Sequence, residues 1–293
     1  MINTESKTIL ITGSTDGIGK ITAKKLAAQG HTIIVHGRDR KKAETVCEDI
    51  KSETGNLNID FVIADLFLLA DVKQMAEHIK QKYERLDVLI NNAGAIFGKE
   101  REITKEGFEK TMALNLFSPF LLTQLLLDVL AKSPAARIIN VSSSAHTTMS
   151  GKPDLSDIQL TKNYSFFHAY GQSKLYLIWI TQHLATALEE KGLNNITVNS
   201  LDPGTIGTAF GQNANKGFLL NQLFKLAPLF AITPEKGTET SFYLATSKDV
   251  ENITGKYFCN KKIAKPGVKY HSPENEKVIW DYCLQIAAPY LGN

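Results

Sequence analysis

The sequence predicts one doubly wound α/β domain, residues 1–293: a parallel sheet of about seven strands with helices on both faces. Three observations carry this. Short β-branched apolar runs alternate with longer helix-period segments, the pattern of right-handed βαβ crossovers. The runs are continuously apolar rather than alternating, as in strands covered on both faces. No Gly-, Pro- or Ser-rich stretch marks a boundary, and no long-period repeat appears. With 43% hydrophobic and 22% charged residues, a chain of 293 can bury a core of this kind.

In order, Lys7–Thr12 reads as a buried strand and Gly17–Gln29 as a helix with Ile18, Ile21 and Leu26 on one side. His31–His36 is the second strand, followed by a charged helix from Asp39 to about Thr54, with Asp39 placed to cap it. Asn58–Ala64 is a strand, Asp71–Tyr83 a helix, and Leu86–Asn91 the fourth strand. Helical segments around Lys105–Lys132 lead to the strand Arg137–Ser142. A helix through Tyr170–Lys191, a strand through Asn195–Leu201 and a last short strand at Gly255–Cys259 complete the pattern. Three segments exceed it: an insertion at 144–169, a Phe- and Leu-rich stretch at 205–233, and a tail at 261–293 holding Trp280 and Tyr282. The first two follow strands directly, so they belong at the carboxyl edge of the sheet, where ligands bind in such folds.

Composition excludes several classes. The 33 basic and 30 acidic residues leave a net +3, too small and too dispersed for nucleic acid or an anionic membrane surface. Cys47, Cys259 and Cys283 are odd in number and lack metal-ligand spacing, so no metal site is expected. Met1–Lys7 is polar, unlike a signal peptide, and Leu114–Leu130 is interrupted by Asn115, Ser118, Pro119, Gln124 and Asp128. A reduced cytoplasm without membrane attachment is the expectation.

The first chemical motif is Thr12-Gly13-Ser14-Thr15-Asp16-Gly17-Ile18-Gly19, between a strand and a helix. Glycines there let the backbone turn tightly and approach a pyrophosphate resting on the helix N-terminus. A plain tight turn would use glycine too; placement favours the Rossmann-type dinucleotide site. At the end of the second strand, an acid would accept hydrogen bonds from a ribose 2′-hydroxyl. The sequence has His36-Gly37-Arg38-Asp39 instead, and the planar donors of Arg38 suit a 2′-phosphate. NADP(H) is therefore favoured over NAD(H).

Tyr170 and Lys174 stand four apart, on one helix face. A neighbouring ammonium favours the phenolate and is expected to lower the Tyr170 pKa. The spacing alone says little, since Tyr257 and Lys261 share it in a predicted strand and turn. Ser142, Ser143 and Ser144 end the fifth strand, where a hydroxyl can hold a substrate carbonyl or simply serve a turn. No Gly-x-Ser-x-Gly elbow is present, and His146 and His168 read as pocket or surface residues rather than bases.

Together these motifs resemble the classical short-chain dehydrogenase/reductase family over almost the whole chain. Thr12–Gly19 resembles its glycine turn, with Gly13, Ser14, Thr15, Gly17, Ile18 and Gly19 at the cofactor. Asn91-Asn92-Ala93-Gly94 resembles its fourth-strand signature, and Asp65-Leu66 the pair beside the adenine. Pro203-Gly204 with Thr208 matches the segment closing on the nicotinamide. The nearer resemblance is to retinol-dehydrogenase-like members, through Gly17-Ile18-Gly19-Lys20, Gly37-Arg38-Asp39, Val141-Ser142-Ser143-Ser144-Ala145-His146 and Gly255-Lys256-Tyr257-Phe258. The resemblance implies Asn115, Ser143, Tyr170 and Lys174 as the catalytic set. Ser143 would orient a carbonyl, Tyr170 donate the proton, Lys174 lower its pKa and hold ribose, and Asn115 fix a relaying water. It also implies a carbonyl or alcohol substrate, and a homodimer through the helices holding Asn115 and Tyr170.

Ser143 and Tyr170 stand 27 residues apart, about twice the family's interval, so segment 144–169 is expected to loop out and return. Phe210, Phe218, Leu219, Leu220, Leu223 and Phe224 read either as an apolar lid or as one packed helix face. The competing functional class is a catalytically silent NADP(H)-binding regulator of the same fold. Retention of Asn115, Ser143, Tyr170 and Lys174 together argues against it.

Overall fold

The computed structural model describes residues 6–149, 151–204 and 232–292. Its single sheet runs β3-β2-β1-β4-β5-β6-β7-β8, formed by Thr8–Ile11, Thr32–Gly37, Ile59–Ile63, Val88–Asn91, Ala136–Val141, Ile196–Asp202, Tyr257–Cys259 and Lys262–Ala264 in chain order. The first seven strands pair in parallel. The order reverses between β1 and β4, which opens the crevice where such sheets bind nucleotides. The helices are α1 (Gly17–Ala27), α2 (Arg40–Thr54), α3 (Leu69–Lys82), α4 (Lys110–Leu130), α5 (Ala145–Thr148), α6 (Phe166–Glu190), α7 (Pro234–Gly237), α8 (Glu239–Thr246) and α9 (Pro273–Leu291).

Strand alternation divides the core between two faces. Leu10 packs with α3, α4, α6 and α9, while Ile9 and Ile11 face α1, α2 and α8. All three are fully buried, each contributing roughly 1.5–3 kcal/mol of apolar transfer. Asp39 caps α2 as expected, its carboxylate accepting from the Lys42 amide at 2.9 Å. Helix α4 is long and apolar enough to cross a membrane, with mean hydropathy 1.6, but 72% of that stretch is buried in the core.

Four features depart from the sequence expectation. An eighth strand returns antiparallel to β7 through Asn260 and Lys261, whose φ of 50° and 63° make the primed turn that suits a hairpin. The tail contains α9, capped by Ser272 with Pro273 in its first turn. Helix α6 begins at Phe166, a turn before Tyr170. The described residues of segment 144–169 include exposed turns but are also anchored in the core. Ile158 and Leu160 are buried, and the Gln159 side chain accepts from the Glu109 amide at 2.9 Å and donates to the Tyr282 hydroxyl at 2.7 Å.

Helix α9 also bears on the expected dimer face. It lies across α4 and α6, with Trp280 edge-on to Phe120 at 5.0 Å and Tyr282 6.0 Å from Phe117. Part of the surface of those two helices is thus covered from within the chain.

Candidate active site

The glycine turn leaves β1 and enters α1 with Gly13 at φ +62° and Gly17 at +53°, a region costly for residues with a Cβ. A Cβ on Gly19 would stand 2.4 Å from the Gly13 carbonyl and 2.6 Å from Asn92 Nδ2. Gly37 is equally constrained, since its Cβ would meet Thr15 Cγ2 at 2.5 Å. The turn is wired to its neighbours. Ser14 is buried; its hydroxyl donates to the Ile11 carbonyl at 2.7 Å and accepts from the His36 amide at 3.0 Å. Thr12 Oγ1 accepts from the Asn92 and Ala93 amides, each at 2.9 Å, and Asn92 Nδ2 donates to the Thr12 carbonyl at 2.8 Å. Ser14 and the Asn92 side chain therefore shape the cradle.

His36 is a member of this cradle that the sequence reading passed over. Its buried Nδ1 accepts from the Gly13 amide at 2.9 Å, so the ring proton sits on Nε2, 3.2 Å from the Ala64 carbonyl. Burial pushes its pKa down to about 4, keeping the ring neutral and the bond to Gly13 intact at neutral pH. No pattern in the chain marks such a histidine; only the register of β1, β2 and β3 does.

Arg38 is exposed beyond β2, its guanidinium 5.5 Å from the Phe67 ring centre and in no ion pair among the described residues. Asp65 follows β3 and accepts from the Phe67 amide at 3.1 Å, and buried Leu66 accepts through its carbonyl from the Ser118 hydroxyl. Ile18 is half-buried on the first turn of α1. Pro203 and Gly204 follow β6; Gly204 has φ +84° and donates to Asp202 Oδ1 at 3.1 Å. Thr208 and the Phe- and Leu-rich stretch lie outside the described residues. The two φ-positive glycines and the close backbone approach at Gly19 fit the pyrophosphate of a nicotinamide dinucleotide. Gly13, Thr15, Gly17 and Gly19 would hold the pyrophosphate.

The four catalytic candidates converge at the carboxyl ends of β4 and β5. Asn115 lies in a π-helical turn of α4, Ala113–Phe117, an irregularity that recurs at functional sites. It is fully buried, with Nδ2 donating to the Ala95 carbonyl at 3.0 Å and to Ser173 Oγ at 3.1 Å, while Oδ1 accepts from the Ala95 amide. Lys174 is buried as well, and Nζ donates to the Val141 carbonyl at 2.9 Å. A Cβ on Gly94 would be 3.0 Å from Lys174 Nζ and 3.1 Å from Asn115 Oδ1, so these two polar atoms converge over this glycine. Lys174 Nζ is 5.8 Å from the Tyr170 ring centre.

The three serines separate cleanly. Ser142 is buried and its hydroxyl donates to the Lys174 carbonyl at 2.9 Å. Ser144 is exposed at the start of α5. Ser143 remains, its hydroxyl hydrogen-bonded to Tyr170 and accepting from the Ala145 amide at 3.2 Å. By contrast, Tyr257 is a buried strand residue, and Lys261 pairs with Glu239 at 3.0 Å in the hairpin turn.

Electrostatics correct one expectation. Burial pushes the Tyr170 hydroxyl above the ordinary phenol range; Ser143 pulls it down only in part, and Asp202 adds to the rise. Burial likewise pushes Lys174 down to about 7. In the protein without nucleotide, burial outweighs the influences that would lower the Tyr170 hydroxyl. Tyr170 is a protonated acid there, the form that gives a proton.

A profile of the short chain dehydrogenase family matches residues 7–218. Human retinol dehydrogenase 13 is 36% identical over 278 residues, covering 94% of this chain and 82% of that protein. Human polyprenol dehydrogenase is 37% identical over 283 residues, covering 94% and 84%. Among solved structures, an uncharacterized protein from Mycobacterium paratuberculosis superposes with TM-score 0.75 at 25% identity, over 96% of this chain and 93% of that one. A short chain dehydrogenase from Shigella flexneri complexed with NADP gives 0.67 at 27% identity, over 87% and 97%. Fold, ordered motifs and relatives agree, and the chain belongs to the short-chain dehydrogenase family of oxidoreductases acting on CH–OH groups, in its retinol-dehydrogenase-like branch.

Proposed function

We propose that the protein interconverts an apolar aldehyde or ketone and its alcohol, using NADP(H) in preference to NAD(H). The observation that carries this is the Ser143–Tyr170 hydroxyl pair, set beside Lys174 and Asn115. Arg38 supports the 2′-phosphate, as does the NADP bound by the Shigella relative. The polyprenol and retinol named for the relatives support an apolar substrate.

When bound, the nicotinamide supplies hydride to the carbonyl carbon, or takes it from the alcohol. Ser143 Oγ orients the carbonyl oxygen, and Tyr170 Oη gives that oxygen its proton as charge develops there. The phenolate left behind lies beside Lys174, whose pKa near neutrality lets it pass a proton on. Asn115 Oδ1 and Lys174 Nζ face one another over Gly94, where a relayed proton can enter. Oxidation runs the same steps in reverse.

The small molecule is the one partner this reading requires. The partial covering of α4 and α6 by α9 favours a single-chain enzyme over the homodimer, and sedimentation velocity distinguishes them. Three free thiols suit a reducing compartment such as the cytoplasm. The test is consumption of NADPH and of NADH over a panel of apolar and polar aldehydes and ketones. Turnover of apolar members with NADPH is expected; tight NADPH binding without turnover of any member would favour the silent regulator.

A further inference from the structure

Two histidines, His146 and His168, stand near the two ends of segment 144–169, and the first is built into the end of β5 beside Ser143. His146 is 4% exposed. Its Nε2 lies 2.9 Å from the Gly267 amide, which can only donate, so the ring proton is on Nδ1. That Nδ1–H donates to the Ser143 carbonyl at 2.6 Å. Both nitrogens are thus used, in one tautomer. Burial lowers the ring's pKa, against the Ser143 carbonyl and the Asp202 charge, which favours the neutral form this arrangement needs.

The partner of His146 is remote in the chain. Residues 265–272 form a strap between β8 and α9, and its backbone lies directly on α5. A Cβ on Gly267 would meet Thr147 Cγ2 at 3.3 Å and His146 Cδ2 at 3.4 Å. Tyr257 of β7 supports the ring from its side, edge-on at 5.3 Å. The other end of the strap is held where the Asn275 side chain donates to the Tyr270 carbonyl at 2.8 Å.

We propose that His146 is a positioning residue: it clasps the Ser143 backbone with one ring nitrogen and the C-terminal strap with the other, making the strap a fixed wall of the substrate site. This rests on the carbonyl–alcohol reading above. The residue held at its carbonyl is the one whose hydroxyl meets Tyr170, and displacements near 1 Å at such a group have large kinetic effects.

The two arms of the clasp can be cut separately. The His146→Asn side chain carries a donor near the position of Nδ1 and nothing at Nε2; His146→Gln carries an acceptor near Nε2 and no donor at Nδ1. The Asn variant is expected to keep kcat within about threefold, raise KM for an apolar aldehyde about tenfold, and lose hydrogen-exchange protection at the Gly267 amide. The Gln variant is expected to keep that protection and lower kcat about tenfold with KM little changed. NADPH affinity should be unchanged in both. Joint loss of kcat, KM and NADPH affinity in both variants would show a merely structural histidine and overturn the proposal, as would wild-type kinetics in both. If wild-type protein turns over no carbonyl, the functional reading fails by itself and exchange alone decides. Protection in wild type and Gln but not Asn supports the clasp; equal protection in all three refutes it.

Discussion

The glycine turn and segment 144–169 lie along the same edge of one sheet, yet they are held in place by different kinds of contact. The turn is fastened by near neighbours in the βαβ pattern: Gly13 to His36, 23 residues on, and Asn92 to Thr12 across adjacent strands. Segment 144–169 is fastened by the far end of the chain: Gln159 to Tyr282, 123 residues away, and His146 to Gly267, 121 away. The nucleotide half is generic and set by the sheet itself. The substrate half depends on α9 and the strap, so changes near the C-terminus should reach the substrate while sparing the cofactor.

The largest expected effect attacks the nucleotide half. Gly19→Val places a branched side chain where even a Cβ would be 2.4 Å from the Gly13 carbonyl. No NADPH binding should be measurable by fluorescence titration, and folded yield should fall. Near wild-type affinity would break the claim that the turn is rigidly wired.

Next comes the opposite half. Trp280→Ala removes the side chain that packs α9 against Phe120 and should destabilise the fold by about 3–5 kcal/mol in urea melts. The folded fraction should bind NADPH normally while KM for the carbonyl rises. An equal loss of NADPH affinity would erase the distinction between the halves.

A smaller effect sharpens the cofactor assignment. Arg38→Ser should weaken NADPH by about 10- to 100-fold, the worth of one or two charge-assisted hydrogen bonds, and leave NADH unchanged. Equal weakening of both nucleotides would mean that Arg38 only packs on Phe67.

The smallest concerns Lys174. Its pKa is near 7 when folded and 10.5 when unfolded, so between these values the unfolded chain binds more protons and stability rises with pH. Between pH 7 and pH 8 the protein without nucleotide should gain about 1 kcal/mol. Lys174→Met should abolish that slope. A slope that survives the substitution belongs to another group.

The contrast between the halves also explains what was legible beforehand. The strands, Asp39 as a cap, the glycine turn and the Tyr170–Lys174 face are local patterns, set by spacings of one to four residues or by strand and helix periodicity. The choice of Ser143 over Ser142 needed the family resemblance, because it turns on which hydroxyl faces α6 and which faces the site. His36, the core anchoring of 144–169 and the role of the strap were not legible. Each depends on a partner in another element, and a lone histidine or glutamine carries no periodicity. Helix α9 did leave a local trace in Ser272-Pro273, a cap followed by a first-turn proline, which was passed over because the tail lies beyond the alternating pattern.

Tyr170 gives the proton, while the glycine turn holds the nucleotide independently of it. Steady-state turnover and NADPH affinity measured side by side for Tyr170→Phe test this most directly. The variant should lose about 10²–10⁴ in kcat for carbonyl reduction with NADPH affinity unchanged. Turnover retained within a few-fold in that variant would contradict it.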